Sequence, residues 1–439
     1  MHGKITVAAD HRGLLRDGVP FFWLGDTCWS AFTNLSDREW EDYLTLRAEQ
    51  GFTVLQINTL DQWDRCGSDQ GRYPFGTEDG IRYDFSRINA DYFAHARAMC
   101  RRAVEKGFTL ALVVMWSNYV PGTWASDVFP DNVMPESCVE PVVRTICENF
   151  NAFQPVYIVS GDTDFKTRAA CERYRRVTEL VEQYAPGLPK AYHICGRCNE
   201  LPDYFARHAD MYLYQSGHNP ALQDNVFLVA GQFAAREPVR PVINAEPCYE
   251  QMGYSQRQYG RFRREDTRRA LWQSLLSGAP AGITYGAHGV WNWQKEGMPP
   301  RKLVRRPGED PVLFGEGFLP AMPCEAALRF PGAADYAFAS RFVMQKADRL
   351  QPCQELLMTD TPQIRAARRG EQVIVYLPVN APLTLRGDWS DYRAQALDLG
   401  DGKTWAEVPM KVCGGKTRFG MHPFYEDALI LLSPREKAE

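Results

Sequence analysis

The chain has 439 residues, of which 45% are hydrophobic and 24% charged, and its formal net charge is −4. That profile is an ordinary globular one, sized for a large domain plus a small one, and the slight acidity excludes the clustered basic footprint of a nucleic-acid binder. No segment has the length and apolarity of a membrane span, and MHGKITVAADHRGLL lacks the apolar core of a signal peptide, so a cytoplasmic protein with no membrane partner is expected.

In chain order, residues 5–8 and 13–16 predict a short hairpin. Short runs rich in Val, Ile and aromatics then alternate with amphipathic segments. The run 21–26 predicts a first strand, and Ser36-Asp37-Arg38-Glu39 opens a helix over 37–49 with a capping pattern. Strands at 52–58, 108–116, 156–161, 191–196, 211–216, 241–246 and 281–286 follow. Helices at 89–106, 136–149, 167–184, 202–208, 220–235 and 259–276 separate them, and a last helix is expected over 333–350. Gly51 and Gly107 stand where helices end.

Eight strand–helix units in sequence predict a parallel (β/α)8 barrel, because each parallel neighbour needs a crossover helix. An open doubly wound sheet shares the alternation, but the count of eight and the lack of a glycine-rich dinucleotide fingerprint favour the barrel. Beyond it, strands at 363–367, 372–377, 382–385, 393–399, 404–408 and 428–432 predict a small all-β sandwich. The expected domains are 1–351 and 352–439, with a long Gly/Pro/Arg-rich loop over 294–331 of the kind that often serves binding. Nothing in the sequence decides the oligomeric state.

In such a barrel the strand C-termini carry the site. The residues delivered there are Asp26, Asn58, Trp116, Asp162 with Asp164, Tyr214 and His218, Glu246 with Tyr249 and Glu250, and Tyr285 with His288 and Trp291. Asp162 and Glu246 stand on strands four and seven, across the mouth from each other. Two carboxyls across a cleft is what cleavage of a glycosidic bond requires: one protonates the leaving oxygen, the other attacks or stabilises the anomeric carbon. Tyr214, Tyr249 and Tyr285 are candidate hydrogen-bond donors to the ionised member. A generous aromatic supply (11 Trp, 20 Tyr, 23 Phe) suits sugar faces.

Other chemistries fit less well. The eight histidines show no HxH or HExxH spacing, although Asp26, Asp162, Glu246 and His218 together form a candidate cation set. No Gly-x-Ser-x-Gly elbow is present. Most of the 12 cysteines, Cys28, Cys147, Cys195 and Cys248 among them, lie in apolar runs, where cysteine is expected to behave as a small buried hydrophobe. Cys195-Gly-Arg-Cys198 has the spacing of a redox motif or half a zinc site, but no second pair and no thioredoxin-like context accompany it.

Three stretches together resemble the apiosidase-like glycoside hydrolases: PFFWLGDTCW (20–29) leading through Tyr43 and Arg47 into GFTVLQ (51–56); PVINAEPCYE (241–250); and YGAHGVWNW (285–293) with LPAMPCEAALRFPGAADYAFASR (319–341). The likeness spans nearly the whole chain, including IVYLP (374–378) of the terminal β-domain. It implies Asp162 as acid/base and Glu246 as nucleophile, with Asp164 and Glu250 as rivals, and retention through a covalent glycosyl-enzyme without a cofactor or metal. The expectation is an exo-acting glycosidase whose carbohydrate substrate ends in a pentose or deoxysugar. The competing classes are a non-catalytic carbohydrate-binding barrel and a metal-dependent isomerase or hydrolase. The loops expected to choose the sugar are 61–82, 118–134 and 294–331.

Overall fold

The runs of Val, Ile and Leu form eight parallel strands in the computed structural model, which describes residues 3–196, 198–255, 258–299 and 319–435. They are β1 (Trp23–Thr27), β2 (Val54–Asn58), β3 (Thr109–Trp116), β4 (Val156–Gly161), β5 (Lys190–Ala191), β6 (Tyr212–Gln215), β7 (Val242–Glu246) and β8 (Gly282–Tyr285). Strands adjacent in sequence pair in space, and β8 returns to β1. A parallel bridge from His193 to Leu213 closes the ring between β5 and β6. Every residue of β1–β4 and β6–β8 is buried, as a parallel sheet covered by helices requires.

The covering helices are α1 (Asp37–Glu49), α2 (Ala90–Glu105), α3 (Glu136–Phe150), α4 (Arg168–Tyr184), α5 (Asp203–His208), α6 (Asn225–Ala234), α7 (Arg264–Ser277) and α8 (Gly332–Met344). The capping box of α1 forms as the sequence predicts: Ser36 Oγ accepts from the Glu39 N–H, and Glu39 Oε2 accepts from the Ser36 N–H at 2.7 Å. Two helices are shorter at their start than periodicity suggests. Residues 220–222 form a separate 3-10 turn, capped by the Asn219 side chain. Before α7, the chain instead folds back through a Gly253–Arg261 bridge, braced by Arg261 Nη1 on the Gln251 carbonyl. The end of α8 falls at Met344, short of the expected 350. The expected loop 294–331 lies outside the described residues from 300 to 318. No helix among the described residues is long and apolar enough to cross a membrane.

The N-terminal ribbon has three strands (Ile5–Val7, Leu14–Arg16, Val19–Phe21), one more than the expected hairpin. Its second turn, Asp17-Gly18, and the turn Gly414-Gly415 between Met410–Cys413 and Lys416–Phe419 both have positive φ at both residues. That geometry matches the twist of a hairpin, and Asp-Gly and Gly-Gly are its sequence signature. Both signals were present in the sequence.

After the barrel, a six-stranded antiparallel sheet faces a three-stranded one. Its strand Gln372–Leu377 is buried on both faces. Val373, Val375 and Leu377 point into the sandwich, whereas Ile374 and Tyr376 join the barrel core. The sheet is therefore welded to the barrel by apolar burial, and a buried ion network reinforces the seam. Arg268 of α7 reaches Asp427 Oδ1 at 2.9 Å and Glu426 Oε2 at 2.6 Å, while Asp335 of α8 accepts from Arg264 Nε at 2.8 Å and lies 3.5 Å from Arg268. Tyr376 donates to Asp427 at 2.8 Å. Removing one partner of such a network strands the others as buried charges. Arg268→Ala is expected to cost about 3–5 kcal/mol, read as a lowered urea midpoint. Arg393→Ala, which breaks the exposed pair with Glu407, is expected to cost less than about 1 kcal/mol by the same measurement.

Candidate active site

Glu246 ends β7 on an irregularity. The β6–β7 register shifts between Tyr214 and Gln215, so that Asn244 faces Tyr214 but Glu246 faces Gln215, leaving Ala245 as the extra residue. Such bulges re-aim side chains. The Ala245 carbonyl is satisfied across the barrel interior by Gln56 Nε2 at 3.1 Å, and the N–H groups of Ser216 and Gly217 donate to the Glu246 carbonyl.

The Glu246 carboxylate lies between two imidazoles. His218 Nε2 is 3.1 Å from Oε1, and His193 Nε2 is 3.3 Å from Oε2, close but not aligned for a full hydrogen bond. In each ring the other nitrogen faces a backbone donor: His193 Nδ1 accepts from the Asp162 N–H at 3.1 Å, and His218 Nδ1 from the Tyr249 N–H at 3.4 Å. A ring whose Nδ1 accepts carries its proton on Nε2, so both N–H groups address the carboxylate. Burial by itself raises the pKa of Glu246. The donors and charge of His193 and His218 outweigh burial and hold it down at about 2. Burial, with the Glu246 charge beside it, pushes the Tyr249 phenol well above its usual value.

Asp162 follows β4 in a left-handed conformation, φ +48°, which is uncommon for a residue with a side chain. Its N–H is fixed by His193, and its carbonyl accepts from Trp124 Nε1 at 2.7 Å. The preceding Gly161 is required sterically, since a Cβ there would sit 2.1 Å from the Trp116 ring. One imidazole thus holds the backbone of one carboxylate residue and touches the carboxylate of the other.

Both carboxylate residues line a common inner cavity of about 50 Å³ with Trp29, Trp116, Trp291, His218, Tyr249 and Met252. It shares Trp63, Trp124, Asp162 and Gln215 with the lining of an outer cleft of about 400 Å³ that adds Asp164, Lys166, Cys195 and Ser255. Trp116 Nε1, Trp291 Nε1 and Gln215 Oε1 are buried without a partner among the described residues. Buried polar atoms are ordinarily satisfied, so these three leave hydrogen-bonding capacity beside the cavity. Indole faces beside unsatisfied donors and acceptors, around an anionic carboxylate, form a site suited to a sugar.

Other residues expected at the mouth are engaged elsewhere. Asp26 is fully buried and gives Oδ2 to Arg47 Nε and to the Tyr43 hydroxyl, both at 2.7 Å, which ties β1 to α1. Glu250 accepts from Tyr285 at 2.6 Å and from the Gly332 N–H at 2.9 Å, capping α8, and burial raises its pKa. Tyr214 donates to the Val226 carbonyl at 2.8 Å. Asn58 donates to Gln62, and His288 Nδ1 faces the Gln251 carbonyl at 3.2 Å, with burial pushing that imidazole down to about 3. Asp164 lies in the outer cleft, 3.1 Å from Lys166 Nζ. His193 was not among the residues expected from sequence. It falls inside the apolar run 191–196, and that strand is only two residues long, which puts position 193 at its end.

The sequence matches the apiosidase-like catalytic domain family over residues 8–348. No curated protein matches it. Among solved structures, a glycoside hydrolase superposes with a TM-score of 0.78 at 20% identity, covering 99% of this chain and 98% of its own. A glycoside hydrolase family 5 structure from Bacteroides vulgatus gives a TM-score of 0.78 at 19% identity, covering 100% and 95%. These two likenesses show the shared fold, a barrel with a C-terminal β-domain. Since the family match spans well over half its length, the chain belongs to the apiosidase-like family and is a glycoside hydrolase, acting on carbohydrate.

Proposed function

We propose that this hydrolase is a retaining, exo-acting glycosidase that removes a terminal pentose or deoxysugar, with Asp162 as acid/base and Glu246 as nucleophile. The observation that carries the reading is the Glu246 carboxylate, held ionised by two imidazoles in the cavity that Asp162 also lines. In the first step Asp162 would protonate the glycosidic oxygen while Glu246 attacks the anomeric carbon. In the second, Asp162 would take a proton from water as the water displaces the carboxylate. A carboxylate with a low pKa is also a good leaving group, so the same two histidines assist the second step.

The rivals are less well placed: the Asp164 carboxylate is paired with Lys166, and that of Glu250 with Tyr285 and the start of α8. The narrow, indole-walled inner cavity supports a small sugar ring, and the wider outer cleft supports a leaving group on one side. In this proposal residues 1–351 carry the chemistry, and residues 352–439 form a separate sandwich domain that braces α7 and α8.

A panel of aryl α- and β-glycosides of pentoses and deoxysugars tests the substrate, and proton NMR of the first anomer released tests retention. Release of the opposite anomer overturns the assigned mechanism. Glu246→Gln is expected to lower kcat/KM by about 10³-fold or more on every substrate. Asp162→Asn is expected to lower it about 10²- to 10⁴-fold on poor leaving groups and far less on 2,4-dinitrophenyl glycosides, which need no acid. Near-normal rates in either variant remove that residue from the mechanism.

The depressed Glu246 pKa also has a sign. The ionised form is complete above its folded value of about 2, so acidification toward mildly acidic pH leaves the nucleophile charged. The rate of glycosyl-enzyme formation from a 2,4-dinitrophenyl glycoside is therefore expected to be flat from about pH 7 to 4. In His218→Ala one donor is lost, the carboxyl pKa rises, and an acid limb is expected to move up by about one pH unit or more. An unchanged profile in that variant contradicts the donor role.

A further inference from the structure

Most cysteines of this chain are made inert by burial. It pushes the thiols of Cys28, Cys100 and Cys248 far above their usual pKa and those of Cys66, Cys147 and Cys353 up to about 12. Cys195 and Cys198 differ in standing beside each other, although Cys198 is itself buried. Their sulfurs lie 2.8 Å apart, brought together by a turn in which the Cys198 N–H donates to the Cys195 carbonyl at 2.9 Å. Cys195 is partly exposed and lines the outer cleft beside Asp162, Asp164 and Lys166. The hydrogen bond from Cys195, with a smaller pull from the Lys166 charge, holds the Cys198 thiol below its usual value against burial and the charges of Asp164 and Asp162. Accessibility, a thiol neighbour and a nearby cation are what mark a reactive cysteine pair.

We propose that Cys195 and Cys198 form a thiol–disulfide exchange site at the rim of the outer cleft, with low-molecular-weight disulfides as its reactant. The pair, ionised once, keeps a single proton between its sulfurs; as Cys195 attacks, that proton passes to Cys198 and leaves the thiolate at Cys195. That sulfur attacks one sulfur of the external disulfide: a protein–small-molecule S–S bond forms, the external S–S bond breaks, and a small thiolate leaves. The Cys198 thiol gives its proton to that thiolate and displaces the second small thiolate, which takes up the proton released when the pair first ionised. The two cysteines are oxidised, the external disulfide is reduced, and two small thiols result.

The position links this chemistry to the active site. Cys195 stands two residues after His193, and its N–H donates to the Thr163 carbonyl at 2.9 Å, next to Asp162. The adjacent Gly196 packs so closely on Gly217 that a Cβ would meet its Cα at 2.8 Å, so the rim cannot shift without moving the cleft floor. Closing the disulfide therefore alters the outer cleft. This consequence for catalysis rests on the proposed function above; the exchange site itself does not.

The test equilibrates the full chain with glutathione buffers of rising oxidised fraction, blocks remaining thiols under denaturing conditions, and reads intact mass and peptide maps. The expected result is loss of two hydrogens, a Cys195–Cys198 linked peptide, and the ten other cysteines alkylated. Cys195→Ser is expected to leave Cys198 reduced or as a glutathione adduct, with no linked peptide. Alkylation of both Cys195 and Cys198 at the oxidising end, or a disulfide formed elsewhere instead, overturns the proposal. Steady-state assays on the aryl glycoside panel then compare the two redox forms. Oxidation is expected to shift KM about threefold or more, reversed by dithiothreitol, with no shift in Cys195→Ser. A disulfide that forms without any KM shift overturns the coupling to the cleft, and a panel without hydrolysis overturns the functional reading while the mass result still decides the site.

Discussion

The site depends on where the barrel closes. β5 is only two residues long, and the ring is completed beyond it by the backbone bridge from His193 to Leu213. The same residue is anchored to β4, its N–H on the Ser160 carbonyl and its carbonyl on the Ser160 hydroxyl. With the backbone so fixed, the ring is fully buried among Trp29 and Trp116 and has one place to go, between the Asp162 N–H and the Glu246 carboxylate. Barrel closure and carboxylate placement are thus one constraint. A packed, buried imidazole fixes the backbone of one carboxylate residue and the side chain of the other.

Two buried carboxylates show how environment divides labour between identical groups. Asp26 is matched to a guanidinium and a phenol deep between β1 and α1, where charge is cancelled and the pair serves to fix a helix. Glu246 is matched to two imidazoles, which stabilise the anion and leave it facing a cavity. An unpaired buried carboxylate costs several kcal/mol and would take up a proton instead. Donors from the two rings avoid that outcome and leave the negative charge facing the cavity.

The C-terminal sheet is built on a related economy of surfaces. Its central strand is apolar on both faces because one face forms the sandwich core and the other packs on the barrel. The Arg268–Asp335–Asp427 network lies in the same seam and is nearly solvent-free. Polar groups there fix how the sheet docks, since each must find its partner, whereas the apolar contacts supply most of the burial.

By itself the sequence determined the eight strands, the order of helices, the sandwich, and which strands carry acids at their ends, because alternation, capping residues and apolar runs are local properties of the chain. The turns Asp17-Gly18 and Gly414-Gly415 carry a known signal, yet the strands that follow or flank them, 19–21, 410–413 and 416–419, were not expected from the sequence. What local pattern does not contain is the direction of a strand-end side chain across the barrel. Asp26, Glu250 and Tyr285 read from sequence like Asp162 and Glu246, yet Arg47 of the following helix α1 holds Asp26, and Glu250, bound to Gly332 of α8, holds Tyr285, away from the cavity. His193, hidden in an apolar run, became a site residue only because β5 is short and the ring closes beside it. Long-range packing decided which polar groups are satisfied by protein and which are left facing the cavity.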